Sequence, residues 1–248
     1  MTVKAIIDGD ILIFRASLRA ESTFDWGDGL VSVVADATEA EQHILNDVEE
    51  ICTALGAHTF SFCVSCGTKT FRHDIWPSYK GNRKEKKPIL FSLLRDRLVR
   101  DGYAICLPKL EGDDVMGIEN GVTTTKSVIV TIDKDLRGIP GYHYNPDKPE
   151  QGVHHISREG ADNWHLIQSI AGDSTDGYGG VPGMGIVKAT KLLDKEGYTW
   201  ETVVKAYEAK GLSEEVALMN ARLAKILEWT NWDFENSKVS PWSPNGGK

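Results

Sequence analysis

No apolar run in these 248 residues approaches the roughly 20 needed to span a bilayer, and Asp8 and Asp10 interrupt the short apolar start that a cleavable signal would need. The expectation is a soluble, intracellular chain with no membrane partner, cytoplasmic in location. Cysteine is scarce. Cys52, Cys63, Cys66 and Cys106 are too few for a disulfide framework at this length, and Cys63-x-x-Cys66 is followed by no second Cys or His pair at zinc spacing, so reduced thiols are the simpler reading. His73, His154, His155 and His165 lack ligand spacing and read as surface or satisfied core histidines. Gly183-x-Gly185 follows a helical stretch and has Lys188 where a dinucleotide fingerprint would have its third glycine, which removes that class. No internal repeat or low-complexity tract is present.

What the chain does have is unevenly spread charge. The net charge is -8, yet Lys80 to Arg100 holds eight basic residues against Glu85 and Asp96, a net of +6 that leaves -14 elsewhere. An acidic protein with one concentrated basic segment suits a polyanion held at that segment and cations held by the carboxylates.

The carboxylates have a pattern of their own. Asp8 ends the apolar run Val3–Ile7; Glu111, Asp113 and Asp114 follow Tyr103–Leu107; Asp133 and Asp135 follow Ser127–Ile132; Asp173 and Asp176 sit in Gly172-Asp173-Ser174-Thr175-Asp176. One such cluster is ordinarily a helix cap or a solvated turn. Four at the ends of strand-like runs are another matter, because the carboxyl ends of parallel strands share one edge of a sheet and residues far apart in sequence meet there. Eight carboxylates in one crevice would repel severely at neutral pH. Hard divalent cations relieve this, and oxygen-only ligands point to magnesium or manganese.

Short apolar runs alternate with helical patterns over about the first 160 residues, the signature of a mostly parallel sheet covered by helices. The expected strands are Val3–Ile7, Thr59–Val64, Tyr103–Leu107 and Ser127–Ile132. A helix is expected from Thr38 to Leu55, with Ile44, Val48, Ile51 and Leu55 on one face, an added hairpin from Trp26 to Ala35, and a short strand pair at Tyr142–Tyr144 and Val153–Ile156. Beyond Asp162 only helical patterns remain. Gly179 to Gly185 feed a helix with Ile186, Ala189, Leu192 and Leu193 on one face and Lys188, Lys191 and Lys195 on the other, a place where phosphates bind. The expected division is 1–162 as an α/β domain, 163–240 as a helical region and 241–248 as a frayed tail.

Ile7-Asp8-Gly9-Asp10, Tyr79-Lys80-Gly81-Asn82-Arg83, Glu111-Gly112-Asp113-Asp114, Thr131-Ile132-Asp133-Lys134-Asp135, and Gly172 to Asp176 with Gly180 to Gly185 resemble, in order, the motifs of the 5′-nuclease superfamily, which includes flap endonucleases, the 5′-nuclease domain of bacterial DNA polymerase I and phage 5′ to 3′ exonucleases. The resemblance covers about Lys4 to Leu193, and the length is most similar to the stand-alone phage-type enzymes. It implies a PIN-like α/β fold with a helix–three-turn–helix element, two Mg2+ or Mn2+ ions, and a K+ at the loop of that element. It implies a monomer acting on DNA with 5′ ends, flaps or nicks, and on RNA/DNA hybrids, in replication or repair, in the host cytoplasm if phage-encoded. By motif position, Asp8, Glu111 and Asp113 serve the first metal, and Asp114, Asp133, Asp135, Asp173 and Asp176 the second. Lys80 and Arg83 contact the scissile phosphate, Tyr79 stacks on the terminal nucleotide, and Arg15 binds phosphate. The span 79–100 forms a basic arch or clamp in which Lys84, Lys86 and Lys87 meet DNA, while Gly183, Gly185, Lys188 and Lys191 hold the duplex.

One departure stands out. The family's metal-ligating Asp at the end of the second strand is replaced in Val64-Ser65-Cys66-Gly67. Ser65 and Cys66 carry no equivalent charge, so the first site is expected to be weaker, water-filled or helped by another carboxylate such as Asp10. The alternative is a catalytically weakened, structure-specific DNA-binding relative. A ribonuclease acting on structured RNA is a third reading.

Overall fold

The computed structural model describes residues 2–67, 69–83 and 86–244. In chain order the first elements are strand β1 (Val3–Asp8), helix α1 (Gly9–Arg19), the hairpin strands β2 (Glu21–Asp25) and β3 (Val31–Ala35), α2 (Ala37–Leu55) and β4 (Ala57–Cys63). They are followed by α3 (Phe71–Ile75), α4 (Phe91–Arg100), α5 (Gly112–Val122), β5 (Lys126–Val130), β6 (Gly141–Tyr144) and β7 (His154–Ile156). The main sheet has the order β4-β1-β5-β6-β7, parallel throughout except for the last strand. This is the expected α/β architecture. Buried residues from α1, α2, α4 and one face of the sheet form one core around Ile7, Ile13 and Leu94, while α5 and the other face form a second around Ile6, Met116 and Ile129.

Local chemistry explains most boundaries. Helix α2 begins where the Asp36 carboxylate accepts from Thr38 N and Glu39 N, and it ends at Gly56, whose φ of +57° is the left-handed conformation that favours glycine. The hairpin begins five residues before its expected start, because Trp26-Gly27-Asp28-Gly29 is its turn: Gly27, Asp28 and Gly29 all have positive φ. The expected strand Tyr103–Leu107 reduces to a single bridge, Cys63 to Ile105. Gly102 turns the chain before it and Pro108 cannot donate to a ladder, so only Ile105 pairs, through Ile105 N to Phe62 O at 2.8 Å and Val64 N to Ile105 O at 3.0 Å. That one bridge still delivers Glu111 and α5 to the carboxyl edge of the sheet.

The basic span 79–100 divides in two, which corrects the reading of it as one arch. Its second half is α4, which packs Phe91 and Leu94 into the first core and spends its cations on neighbours: Arg95 on Asp96, Arg97 on Glu41 and Arg100 on Asp101. Lys80 to Arg83 form a tight turn over the carboxyl edge, and Lys84 lies outside the described residues.

The helical region starts slightly earlier than expected, with α6 (Arg158–Ala171), capped by Ser157 Oγ accepting from Gly160 N. Then come α7 (Ile186–Glu196), α8 (Trp200–Glu208) and α9 (Glu214–Ala224), around a core that includes Ile170, Leu193, Val203 and Tyr207. Two-residue ladders punctuate the helices, β8 (Gly172–Asp173) with β9 (Tyr178–Gly179) and β10 (Trp232–Asp233) with β11 (Lys238–Val239). The first is so close that a Cβ on Gly172 would come within 2.0 Å of Gly180 N. After α9 the chain returns to the α/β half, where Ile226, Leu227 and Trp232 join the second core. Leu227 O lies so near Gly117 that a Cβ there would meet it at 2.1 Å. The expected frayed tail is anchored as far as Trp242, whose carbonyl accepts from Arg222 Nε and whose ring meets His165 and Trp200.

Candidate active site

At the carboxyl edge of the sheet lies a cleft of two confluent lobes, ≈ 830 and ≈ 430 Å³, sharing Lys80, Arg83, Glu111, Asp113 and Asp133. The larger lobe adds Asp8, Asp10, Arg15, Ser65 and Lys87, and the smaller adds Asp135, Asp173 and Asp176. Seven of the eight expected carboxylates therefore line one cleft.

Asp8 ends β1 and caps α1, one oxygen accepting from Ile11 N at 3.4 Å and the other from Thr131 Oγ1 at 3.0 Å. Thr131 Oγ1 in turn accepts from Asp133 N at 3.0 Å, which ties the ends of β1 and β5 together. Burial, followed by the neighbouring charge of Asp10, pushes the Asp8 carboxyl up to about 7. Asp113 is held well above the usual carboxylate range by burial and by Asp8, Asp133 and Glu111; Asp135 is pushed up to about 6 by burial, then by Asp133 and Asp173. These shifts share one cause, an excess of carboxylate over cation where water is partly excluded.

The other side of the cleft is differently arranged. Asp173 accepts from Thr175 N and Asp176 N, closing the loop between β8 and β9. The turn 79–83 docks on that loop: Lys80 N donates to Asp176 O at 2.7 Å, Asn82 Nδ2 to Ser174 O at 2.7 Å, Arg83 pairs with Asp176, and Lys80 Nζ reaches Glu111 at 2.7 Å and Asp176 at 3.7 Å. Lys80 holds a φ of +55°, a strained conformation for a side-chain-bearing residue that the Asp176 contacts maintain.

Two expected roles are corrected. Asp114 is fully buried and turns away from the cleft, its two oxygens in a fork with Arg72 at 2.6 and 2.9 Å and one of them also accepting from Leu227 N at 3.1 Å. With both oxygens so engaged it is a structural carboxylate and not a ligand of the cleft. Tyr79 is 3 % exposed, packed against Tyr178 and His73, so its ring offers no face to a nucleotide. Its hydroxyl instead donates to Asp176 at 2.7 Å and lies 3.2 Å from Glu111. Arg15 stands at the rim in a fork with Asp147, Lys87 lies over the Phe91 ring at 4.1 Å, and Lys86 is exposed. Gly183, with φ +78°, and Gly185, the residue before α7, form an exposed turn; Lys188 Nζ donates to Gly183 O at 2.9 Å and Lys191 is exposed.

At Ser65 the hydroxyl and the backbone N–H both donate to Asp10 Oδ2, and the hydroxyl accepts from Gly112 N at 2.9 Å. Where the strand-end carboxylate is missing, Asp10 brings one in from α1. Sequence reasoning gave no role to Arg72 or to Thr131, though an arginine directly after Phe71 and a threonine two residues before Asp133 were signals available to it. Two buried histidines are structural. His143 and His165 are buried, bonded to Ile139 O and Ala221 O, and burial pushes them down to about 4 and about 3. All four cysteines are free, and burial, with Cys66 beside it, pushes Cys106 up to about 12.

The donor set is made of carboxylate oxygens alone, which suits hard divalent ions. Among the described residues no three Asp, Glu, His or Cys side chains already stand in an arrangement that closes round an ion, and Glu111 and Asp176 face Lys80 and Arg83. The cleft thus combines carboxylates suited to such ions with two cations, Lys80 and Arg83, that occupy Glu111 and Asp176. Among the described residues no helix is long and apolar enough to cross a membrane.

Comparison with known proteins gives the family and the fold. The family model for the 5′-3′ exonuclease, N-terminal resolvase-like domain, matches residues 4–142. The chain is 30% identical to the exonuclease of Escherichia phage T7 over 96% of its own length and 93% of that protein. To DNA polymerase I of Rhizobium leguminosarum it is 28% identical over 89% of the chain but only 23% of the larger protein. In fold, 90% of the chain matches 89% of phage T5 5′-exonuclease with divalent zinc ions bound, at a TM-score of 0.67 and 17% identity. A phage T5 flap endonuclease complexed with DNA and metal ions matches over the same shares at 0.65 and 16%. With a matching model over more than half its length and a relative at this identity along nearly all of it, the chain belongs to the 5′-3′ exonuclease family.

Proposed function

We propose that this chain is a divalent-metal-dependent 5′-nuclease that hydrolyses phosphodiester bonds near the 5′ ends of DNA, at free ends, nicks or flaps. The observation that carries the reading is one cleft in which seven carboxylates from four separate chain segments meet Lys80 and Arg83. Asp8, Glu111 and Asp113 would hold a first Mg2+ or Mn2+, with Asp10 behind them; Asp133, Asp135 and Asp173 would hold a second, with Asp176 reaching it through water. Such a pair of ions supplies an activated water on one side of the phosphate and charge neutralisation at the leaving oxygen on the other.

The chain's own residues do the rest. Lys80 and Arg83 have side chains 26% and 48% exposed, so both can leave their carboxylate partners for a phosphate, where they offset charge developing on its oxygens. Tyr79, fixed between Glu111 and Asp176, holds the turn that presents them. Thr131 orients Asp8. About the backbone N–H groups at the start of α7, Lys188 and Lys191 add positive charge suited to a duplex phosphate backbone, and Gly183 and Gly185 allow it to come close; the same turn would supply carbonyls to a K+. Arg15, Lys86 and Lys87 extend the positive rim.

The weakened-relative reading draws on Ser65, and Asp10 is the argument against it, because the carboxylate absent from β4 is replaced within hydrogen-bonding distance of that serine. Incubation of the purified chain with 5′-flap, nicked and single-stranded DNA and with an RNA/DNA hybrid, in Mg2+ or in chelator, tests the proposal. Chelator-sensitive products from the DNA 5′ end are expected; no such product on any substrate, with tight junction binding retained, would leave the weakened relative standing.

A further inference from the structure

Arg72 is 3 % exposed and its guanidinium sits beneath the acidic cleft. From the first turn of α3 it donates Nε to Leu223 O at 2.9 Å and Nη2 to Lys225 O at 2.8 Å, while the fork grips Asp114. Asp114 then accepts from Leu227 N and, at 3.3 Å, from Glu111 N. One side chain therefore ties together α3, the first turn of α5 and the segment leaving α9. Its Nη1 also lies 3.7 Å from Glu111 Oε2, the oxygen that faces Lys80 Nζ and the Tyr79 hydroxyl.

We propose that Arg72 is a positioning residue for the nuclease reaction, holding the Asp114 fork and the 223–227 segment so that Glu111 and Asp113 face Asp173 and Asp176 across the cleft at the separation two ions require. This rests on the metal-binding reading of Glu111. Stability alone does not call for a guanidinium here, since an apolar pair of similar volume often packs a core as well as a buried ion pair does. What an apolar pair cannot do is bond two carbonyls and a carboxylate in one plane while presenting positive charge to Glu111. Residues that orient ligands in this way typically contribute about 10–100-fold to metal affinity.

Two variants test it on the full chain, Arg72→Lys and the double variant Arg72→Met with Asp114→Leu. Each is followed by thermal melting, by calorimetric titration of the DNA-free protein with Mn2+, and by separate kcat and KM values on 5′-flap DNA. The lysine variant should bind Mn2+ about 10–100-fold more weakly at temperatures where it is fully folded. The double variant removes both buried charges but leaves Leu223 O, Lys225 O and Leu227 N without their partners, so it should melt below the wild type while still folding, with no recovery of affinity, and kcat should fall in both more than KM changes. Wild-type Mn2+ affinity in either folded variant would overturn the proposal, and so would failure of both to fold, which would make Arg72 structural only. If the unsubstituted chain itself bound no Mn2+, the metal reading would fall first.

Discussion

Asp8 and Asp176 line different lobes of the same cleft, and they are held by different physics. Asp8, at the end of β1, has only a hydroxyl and a backbone N–H as partners, and burial pushes it up to about 7. Asp176, in the loop after α6, is met by the Tyr79 hydroxyl, the Arg83 guanidinium and the Lys80 backbone and ammonium. At Asp8 no cation among the described residues stands against the buried carboxyl, whereas at Asp176 the charge is spent on docking the 79–83 turn. On the proposed reading, an entering cation gains most beside Asp8. The loop half, around Asp176, governs how that turn, and the phosphate contacts proposed for it, are placed.

Substitutions at the two aspartates sharpen this contrast most. Asp8→Asn should reduce cleavage about 10³-fold, the equivalent of several kcal/mol of lost charge stabilisation. It should nevertheless raise the melting temperature of the metal-free protein. The sign follows from linkage: a carboxyl whose folded pKa is raised binds more protons folded than unfolded between about 4 and about 7, so stability falls as pH rises through that window and the penalty is complete above it. At pH 8 a neutral Asn removes the penalty. Asp176→Asn should do the reverse to stability, lowering it by about 1–3 kcal/mol because Tyr79 and Arg83 lose a charged acceptor, with a smaller loss of cleavage. Melting curves and turnover on 5′-flap DNA check both, and melting shifts of the same sign would break the comparison.

A smaller effect separates the two halves of the basic span. Lys80→Ala should lower kcat about 10²-fold, as expected for a group that stabilises developing phosphoryl charge. Arg97→Ala, which removes a surface pair with Glu41, should cost no more than about 1 kcal/mol in stability and leave cleavage within about twofold. Equal losses of turnover would restore the idea of one continuous arch.

The parts of the molecule that were legible in the sequence are those governed by local pattern. Apolar runs gave β1, β4 and β5, helical spacing gave α2 and α7, and acidic residues at strand ends marked the edge where the cleft forms. Long-range partnership was hidden. Asp114 sits beside Asp113 and reads identically, but a helix turns adjacent side chains about 100° apart, and only the return of Leu223–Leu227 to α5 shows that Arg72 claims one of the pair. Tyr79 heads a basic, exposed-looking turn, yet Tyr178, 99 residues later, covers its ring. Tyr103–Leu107 has strand composition, but Gly102 and Pro108 leave room for one bridge. The second half of the basic span reads as part of one arch because nothing local in it shows that Phe91 and Leu94 are buried in the first core with α1 and the sheet.

The central claim is that the carboxyl edge of this sheet gathers aspartates and glutamates into a seat for two divalent ions. Calorimetric titration of the metal-free chain with Mn2+ at pH 6.5 and pH 8.5, in buffers of different ionisation enthalpy, tests it most directly. Asp8, at about 7, is largely protonated at the lower pH and ionised at the higher, so ligation must expel protons at the lower pH. Two ions per chain, with weaker binding and greater proton release at pH 6.5, is the predicted result; no saturable Mn2+ binding, or binding with the same affinity and no proton release at either pH, would contradict it.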